Sequence, residues 1–312
     1  MLNRRHLRVK VLQALYAFIQ SGNDDLVAGE KDLFFGLDKT YDLYLYQLLL
    51  LGELVHQERM IIEENRHKHL ASAEDLNPKL YFVENSLLLQ IAEHKSLNEA
   101  CKKRKISWAN NQDLVRRLVI HIKQQKYFAD YLKGEKPDFE ADREFVLKLI
   151  KKDLLTFELL HAFYEEKSIY WLNDWELVGI MLLKNIKAVY AAPHGSFELL
   201  DLYKEDDDKA FARDLFLKTI VKSPELDEMI GANTKNWDIE RIALMDTIIM
   251  KMAITEILSF QRIPVKVSLN EYIELSKMYS TAKSQIFVNG VLNKMVEGLE
   301  ASDKINKFAK GI

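Results

Sequence analysis

An all-α fold is predicted by three features of the chain. Helix breakers are scarce, with 5 Pro and 11 Gly in 312 residues, while Leu, Lys, Glu, Ile and Ala are abundant. Apolar residues recur at helical spacing over long stretches. Loop chemistry such as Asn77-Pro78, Gly134-Glu135-Lys136-Pro137 and Pro193-His194-Gly195-Ser196 separates those stretches.

The first helix is expected over residues 2–21, because Leu7, Val11, Ala14, Leu15 and Phe18 fall on one face and Ser21-Gly22-Asn23 ends the pattern. Amphipathic stretches follow at about 41–64, 80–99, 111–133, 141–167 and 174–191. Near the C-terminal end, Ser223-Pro224 offers an N-cap followed by Pro at the first helical position. Pro264 interrupts the preceding helix, and Ser268 with Glu271 has the spacing of a capping box. Pro224, Trp237, Ser268 and Thr281 therefore mark the expected starts of successive helices. The run Arg143–Ile150 echoes Arg213–Ile220, but Trp175 follows the first Arg by 32 residues and Trp237 the second by 24. Coincidence between amphipathic helices explains the echo better than duplication does.

With 48% hydrophobic residues the chain can bury a core of one large or two modest domains. A net charge of −3 excludes a protein that coats nucleic acid with its whole surface, so any RNA contact must be local. Cys101 stands alone, which excludes an intramolecular disulfide and points to the cytoplasm. The opening Met1-Leu2-Asn3-Arg4-Arg5-His6 has no apolar core of a signal peptide, and the run Leu48–Leu51 is stopped by Glu53 well short of a membrane span.

Catalytic motifs are missing: there is no Gly-rich phosphate loop, no G-x-S-x-G elbow and no H-E-x-x-H. His67-Lys68-His69 does not have the i,i+4 spacing that puts two ligands on one helical face. Asp206-Asp207-Asp208 lacks the Gly and terminal Glu of a calcium loop and reads as a solvated acidic turn before a helix. No enzyme, metal or cofactor is expected. The basic opening is more informative, since Arg5, Arg8, Leu12 and Tyr16 form a stripe beside the apolar face. Guanidinium groups there suit phosphates and Tyr16 suits a base, although a basic first turn is also an ordinary solvated face. A second candidate lies further on, where Lys283 precedes Phe287 by one turn and Gly290 follows it. Lys283 would meet a phosphate while Phe287 stacks on an unpaired base, with Gly290 leaving room for close approach. The alternative is that Phe287 is core and Gly290 permits close helix packing.

Taken together, Arg4-Arg5-His6-Leu7-Arg8 with Leu12–Phe18, then Ile263-Pro264-Val265-Lys266-Val267, Asn270-Glu271 and Phe287-Val288-Asn289-Gly290-Val291-Leu292 resemble the NusB family of transcription antitermination factors. The resemblance implies a helical bundle of two three-helix subdomains, here expanded by additional helices. It assigns 1–23 to the first core helix, 24–205 to a helical insertion and 206–312 to the rest of the core. It further implies binding to boxA-like RNA in nascent ribosomal RNA transcripts, with NusE, a small-subunit ribosomal protein, and the RNA polymerase elongation complex as partners. Position by position, Arg4, Arg5, Arg8, Tyr16, Lys283, Ser284 and Phe287 match the family's RNA contacts, and Glu240 and Asp246 match positions that face NusE. His6 stands where many members carry another Arg, which makes a phosphate contact there dependent on pH. Within the insertion, Cys101-Lys102-Lys103-Arg104-Lys105 beside Trp108 reads as a solvated basic turn or an extension of the RNA footprint. Competing functions are a helical interaction scaffold with a degenerate RNA face, and an RNA-modifying enzyme, for which the required cofactor loop is missing.

Overall fold

Fifteen α-helices occur among the described residues of the computed structural model, which are 2–172, 174–189, 197–234 and 242–307. In chain order they are α1 (Arg4–Gln20), α2 (Leu26–Arg66), α3 (Ala73–Leu76), α4 (Ser86–Ala92), α5 (Lys95–Arg104), α6 (Gln112–Lys123), α7 (Lys126–Tyr131) and α8 (Phe139–Leu149). There follow α9 (Glu158–Lys167), α10 (Trp175–Ala188), α11 (Asp208–Val221), α12 (Ser223–Asn233), α13 (Leu244–Ser259), α14 (Val265–Tyr279) and α15 (Ala282–Ala301). Extended pairing among these residues is limited to one isolated bridge, Leu2 with Tyr203. The fold is all-α, and no described helix is long and apolar enough to cross a membrane.

Two compact units divide the chain, Met1–Leu37 with Leu202–Ile312, and Asp38–Asp201. The first unit extends past the expected junction at 23 because the start of α2 packs there. Gly29 lies against the rings of Phe18 and Phe216, and Lys209 sits 5.2 Å from the Phe34 ring. Asp25 starts α2 by accepting from the backbone N–H groups of Val27 and Ala28.

The second unit has its own aromatic core. Trp108 is fully buried, donates Nε1–H to the Tyr46 carbonyl at 3.1 Å and lies 4.9 Å from the Phe163 ring. Burial removes it from the nucleic-acid role considered for it beside the basic run. Arg104, in that run, is fastened to Asp38 and Asp42 at 2.7–2.8 Å, whereas Lys102, Lys103 and Lys105 are exposed. The expected stretch 111–133 is broken at Gln124-Gln125 into α6 and α7, and 141–167 is broken after a π-helical turn at Ile150–Leu154. That turn buries Asp153, which accepts from the Tyr127 hydroxyl and lies 3.2 Å from Nε2 of His121.

In the first unit α1 packs on α11 and α13, α14 on α13, and α15 on α12, α13 and α14. Helix α13 is the central element: every residue from Ile248 to Ile257 is buried. The two charges in that span, Lys251 and Glu256, are both paired. Lys251 reaches Asp227 at 2.7 Å and Ser223 at 2.6 Å. Glu256, fully buried, accepts from Nε and Nη2 of Arg8 at 2.7 Å each, from Ser268 at 2.7 Å and from Tyr272 at 2.9 Å. Burial alone would lower the Arg8 pKa, but the bonds and charge of Glu256 hold it above its ordinary value.

Two expected helix starts shift as a result of such contacts. Helix α14 begins at Val265 with Pro264 as its N-cap, so Ser268 and Glu271 are not a capping box. Their side chains turn instead to Glu256 and Arg5. Helix α12 begins one residue earlier than expected, with Lys222 as N-cap and Ser223 inside the first turn. Helix α15 starts at Thr281 as the sequence suggested, and the Thr281 side chain caps it by accepting from the Ser284 N–H. The expected start at Trp237 lies outside the described residues.

Two predictions follow from this packing. Arg8→Met leaves the Glu256 charge buried without its cation and should cost about 3–5 kcal/mol in urea unfolding. Arg8→Met with Glu256→Leu should recover a substantial part of that loss; a double variant as unstable as the sum of the singles would show that the two are not coupled. The same Gly→Ala change should have opposite signs at two sites. A Cβ on Gly29 would lie 2.6 Å from Phe18 and 2.9 Å from Phe216, so overpacking of about 1–3 kcal/mol should outweigh the roughly 1 kcal/mol gain in helix propensity. A Cβ added at Gly290 would meet nothing within 4 Å beyond the local backbone of its own helix, and Gly290→Ala should raise the unfolding midpoint.

Candidate nucleic-acid interface

Helix α1 starts with Asn3 as N-cap, bonded reciprocally with His6: Asn3 Oδ1 accepts from the His6 N–H, and His6 Nδ1 accepts from the Asn3 N–H. These two bonds give His6 a place in the cap of α1. Below it the apolar face buries Leu7, Val11, Leu12, Leu15 and Phe18.

The structure gives the three opening arginines three different settings. Arg4, with 29% of its side chain exposed, donates from Nη2 to Asp207 at 2.7 Å and from Nε to Asp208 at 3.4 Å. Its guanidinium also lies 5.1 Å from the Phe211 ring centroid. The acidic turn expected at Asp206-Asp207-Asp208 is thus partly an arginine receptor: Asp208 is buried and its Oδ2 also accepts from the Glu205 N–H. Arg5 is the most open, with 56% of its side chain exposed, and binds Glu271 through Nε at 2.9 Å and Nη2 at 2.6 Å. The Arg5 hydrogen bond holds the Glu271 carboxyl below its usual pKa. Arg8 departs from the surface contact expected of it. Only 4% of its side chain is exposed, both Nε and Nη2 are taken by Glu256, and Nη1 is 3.7 Å from Glu271.

Tyr16 is exposed on α1, one turn beyond Gln13, whose amide donates to the Tyr279 hydroxyl at 3.4 Å. That bond ties the middle of α1 to the end of α14, directly before the corner that launches α15. The face of α15 beyond the corner carries Lys283, Ile286, Phe287 and Gly290 at i, i+3, i+4 and i+7. Lys283 and Gly290 are exposed and Phe287 is half-buried. The openness around Gly290 argues against the close-packing role considered for it. Ser284 is half-buried and bonded to Thr281 through its N–H and hydroxyl, so it secures the helix start. Ile286, 75% exposed beside Phe287, is a residue that sequence reasoning missed. Its only signal was an apolar side chain on the polar side of the wheel.

Asp246, expected to face a partner, is 2% exposed and accepts from the Ser280 hydroxyl. It braces the first turn of α13 against the corner before α15, so its carboxylate is not presented at the surface. Glu240 lies outside the described residues. Glu256 was also missed, although an acidic residue inside an otherwise apolar helical run was a visible sign of a buried partner.

Comparison with known proteins bears on the C-terminal part of the chain. The profile of the NusB family matches residues 169–297. That span begins inside the second unit and leaves out α1. A protein named transcription antitermination protein NusB from Salinibacter ruber is 40% identical over 111 residues, covering 36% of this chain and 69% of that protein. The protein of the same name from Clostridium botulinum is 41% identical over 105 residues, covering 32% and 68%. That from Chloroherpeton thalassium is 35% identical over 104 residues, covering 33% and 49%. No solved structure gives a significant match. Identity at this level over more than two thirds of the Salinibacter protein, together with the ordered runs on α14 and α15, shows that the chain belongs to the NusB family.

Proposed function

We propose that this protein is a non-catalytic, RNA-binding transcription antitermination factor that recognises boxA-like single-stranded RNA in nascent ribosomal transcripts together with NusE. The observation that carries this reading is the α15 face, where an exposed ammonium, Lys283, stands one turn from the Phe287 ring in a chain of NusB family membership. Such a face suits unpaired RNA: the ring stacks on a base, the ammonium meets the adjoining phosphate, and open space at Gly290 admits the strand to the helix backbone. Arg4, Arg5 and Tyr16 on α1 supply a second set of RNA contacts, Ser284 holds the start of α15, and Arg8 fixes α1 from within. NusE is assigned to the side where α13 begins, with buried Asp246 shaping that end rather than touching the partner. The RNA polymerase elongation complex is the assembly on which the pair acts.

A second reading, a helical scaffold whose RNA face has decayed, is favoured by one observation: all three opening arginines already hold carboxylates. Fluorescence anisotropy with a labelled boxA RNA separates the two. Under the RNA-binding reading, Phe287→Ala should cost about 1–3 kcal/mol of affinity. Lys283→Ala should weaken binding and lower the slope of log K against log salt by about 0.7. Unchanged affinity in both variants, with NusE still recovered in a pull-down, would leave the scaffold reading in place.

A further inference from the structure

We propose that Glu271 is a positioning residue for RNA, clamping one edge of the Arg5 guanidinium so that its other edge is held ready for a phosphate; this rests on the RNA-binding reading above. A guanidinium has two edges that can donate bidentately, Nε with Nη2 and Nη1 with Nη2. Glu271 takes the first edge of Arg5, through Oε2 to Nε at 2.9 Å and Oε1 to Nη2 at 2.6 Å. The second edge has no acceptor among the described residues and belongs to a side chain that is 56% exposed. Its geometry matches two oxygens of one phosphate.

What makes Glu271 suited to this is its own anchorage. Its carboxylate is 17% exposed and lies 3.7 Å from Nη1 of Arg8, whose opposite edge is held by Glu256. Exposure therefore rises stepwise from 0% at Glu256 through 4% and 17% to 56% at Arg5, with charge alternating at each step. A ladder of that kind transmits the fixed position of a core carboxylate to a surface cation. Arg4 is tied by the same two nitrogens but to two carboxylates, Nη2 on Asp207 at 2.7 Å and Nε on buried Asp208 at 3.4 Å. Arg5 is the more open of the two side chains, at 56% against 29%.

The sign of one substitution distinguishes positioning from simple charge. Glu271→Gln removes a negative charge from the interface, so an unspecific electrostatic account requires tighter RNA binding. Positioning requires weaker binding, roughly fivefold, the worth of about one hydrogen bond. It also requires a smaller salt slope and no further loss when Glu271→Gln is added to Arg5→Ala. Arg5→Lys keeps the charge but cannot hold a carboxylate and a phosphate on two planar edges, and should bind like Arg5→Ala. The measurement is anisotropy of a labelled single-stranded boxA RNA with the full chain, with a thermal melt of each variant to establish equal folding. Wild-type protein that fails to bind the RNA overturns the proposed function and this inference together. Wild-type binding with the Gln variant equal or tighter, or with Arg5→Lys equal to wild type, overturns the role of Glu271 alone.

Discussion

The ion pair between Arg8 and Glu256 is the constraint on which the first unit depends. It joins residues 248 apart in sequence, one on α1 and one in the last turn of α13. Removing both charges from water is costly, and the cost is met because the carboxylate receives donors from Arg8, Ser268 and Tyr272 together. An apolar pair of matched shape often equals such an arrangement in stability. The distinctive contribution of the ion pair is direction: it dictates which side of α1 turns inward and where α14 meets it. Phe211 and Tyr272 complete the seat, their ring centroids 5.4 and 5.9 Å from the guanidinium carbon.

That constraint also explains where sequence reasoning succeeded. Helical class, the face of α1 and the start of α15 at Thr281 depend on neighbours a few residues away, and local spacing reveals them. Lys283 and Phe287 were legible for the same reason, since their shared side of α15 follows from helical periodicity alone. Arg8 was not: Leu7 and Val9 flank it where Arg4 and His6 flank Arg5, but flanking residues do not name the partner that takes a guanidinium inward. The burial of one and exposure of the other are decided by Glu256 and Glu271, both far along the chain. Ser268 and Glu271 illustrate the same limit: their spacing fits a capping box, yet distant partners claimed both side chains and Pro264 took the cap. Asp246 likewise looked like a surface acid until Ser280 closed over it.

The second unit is chemically self-sufficient in a way that bears on its role. Trp108 and Trp171 both satisfy their indole N–H on backbone carbonyls within the unit, Tyr46 and Lys39, while forming part of one aromatic cluster. Arg104, the most strongly placed cation of its basic run, is neutralised by Asp38 and Asp42. What is left outward is the ammonium groups of Lys102, Lys103 and Lys105, flexible point charges with no aromatic surface beside them, since Trp108 is buried. Charges of that kind add to the attraction of any polyanion but read no sequence.

A net charge of −3 then ceases to conflict with RNA binding. Arginines already paired with carboxylates contribute little to the long-range field, because each pair is nearly neutral beyond a Debye length. They contribute at contact, where a pre-oriented planar edge meets two phosphate oxygens with less side-chain entropy left to lose. A surface built in this way attracts polyanions weakly at a distance and discriminates by fit at close range. The arginine-rich opening therefore uses one residue type in graded settings: Arg8 turned inward fixes the helix, Arg4 is half-buried on its carboxylates, and Arg5 is the most exposed. Because the inner arginine sets the axis that carries the outer ones, the proposed RNA contact and the fold depend on the same first turns of α1.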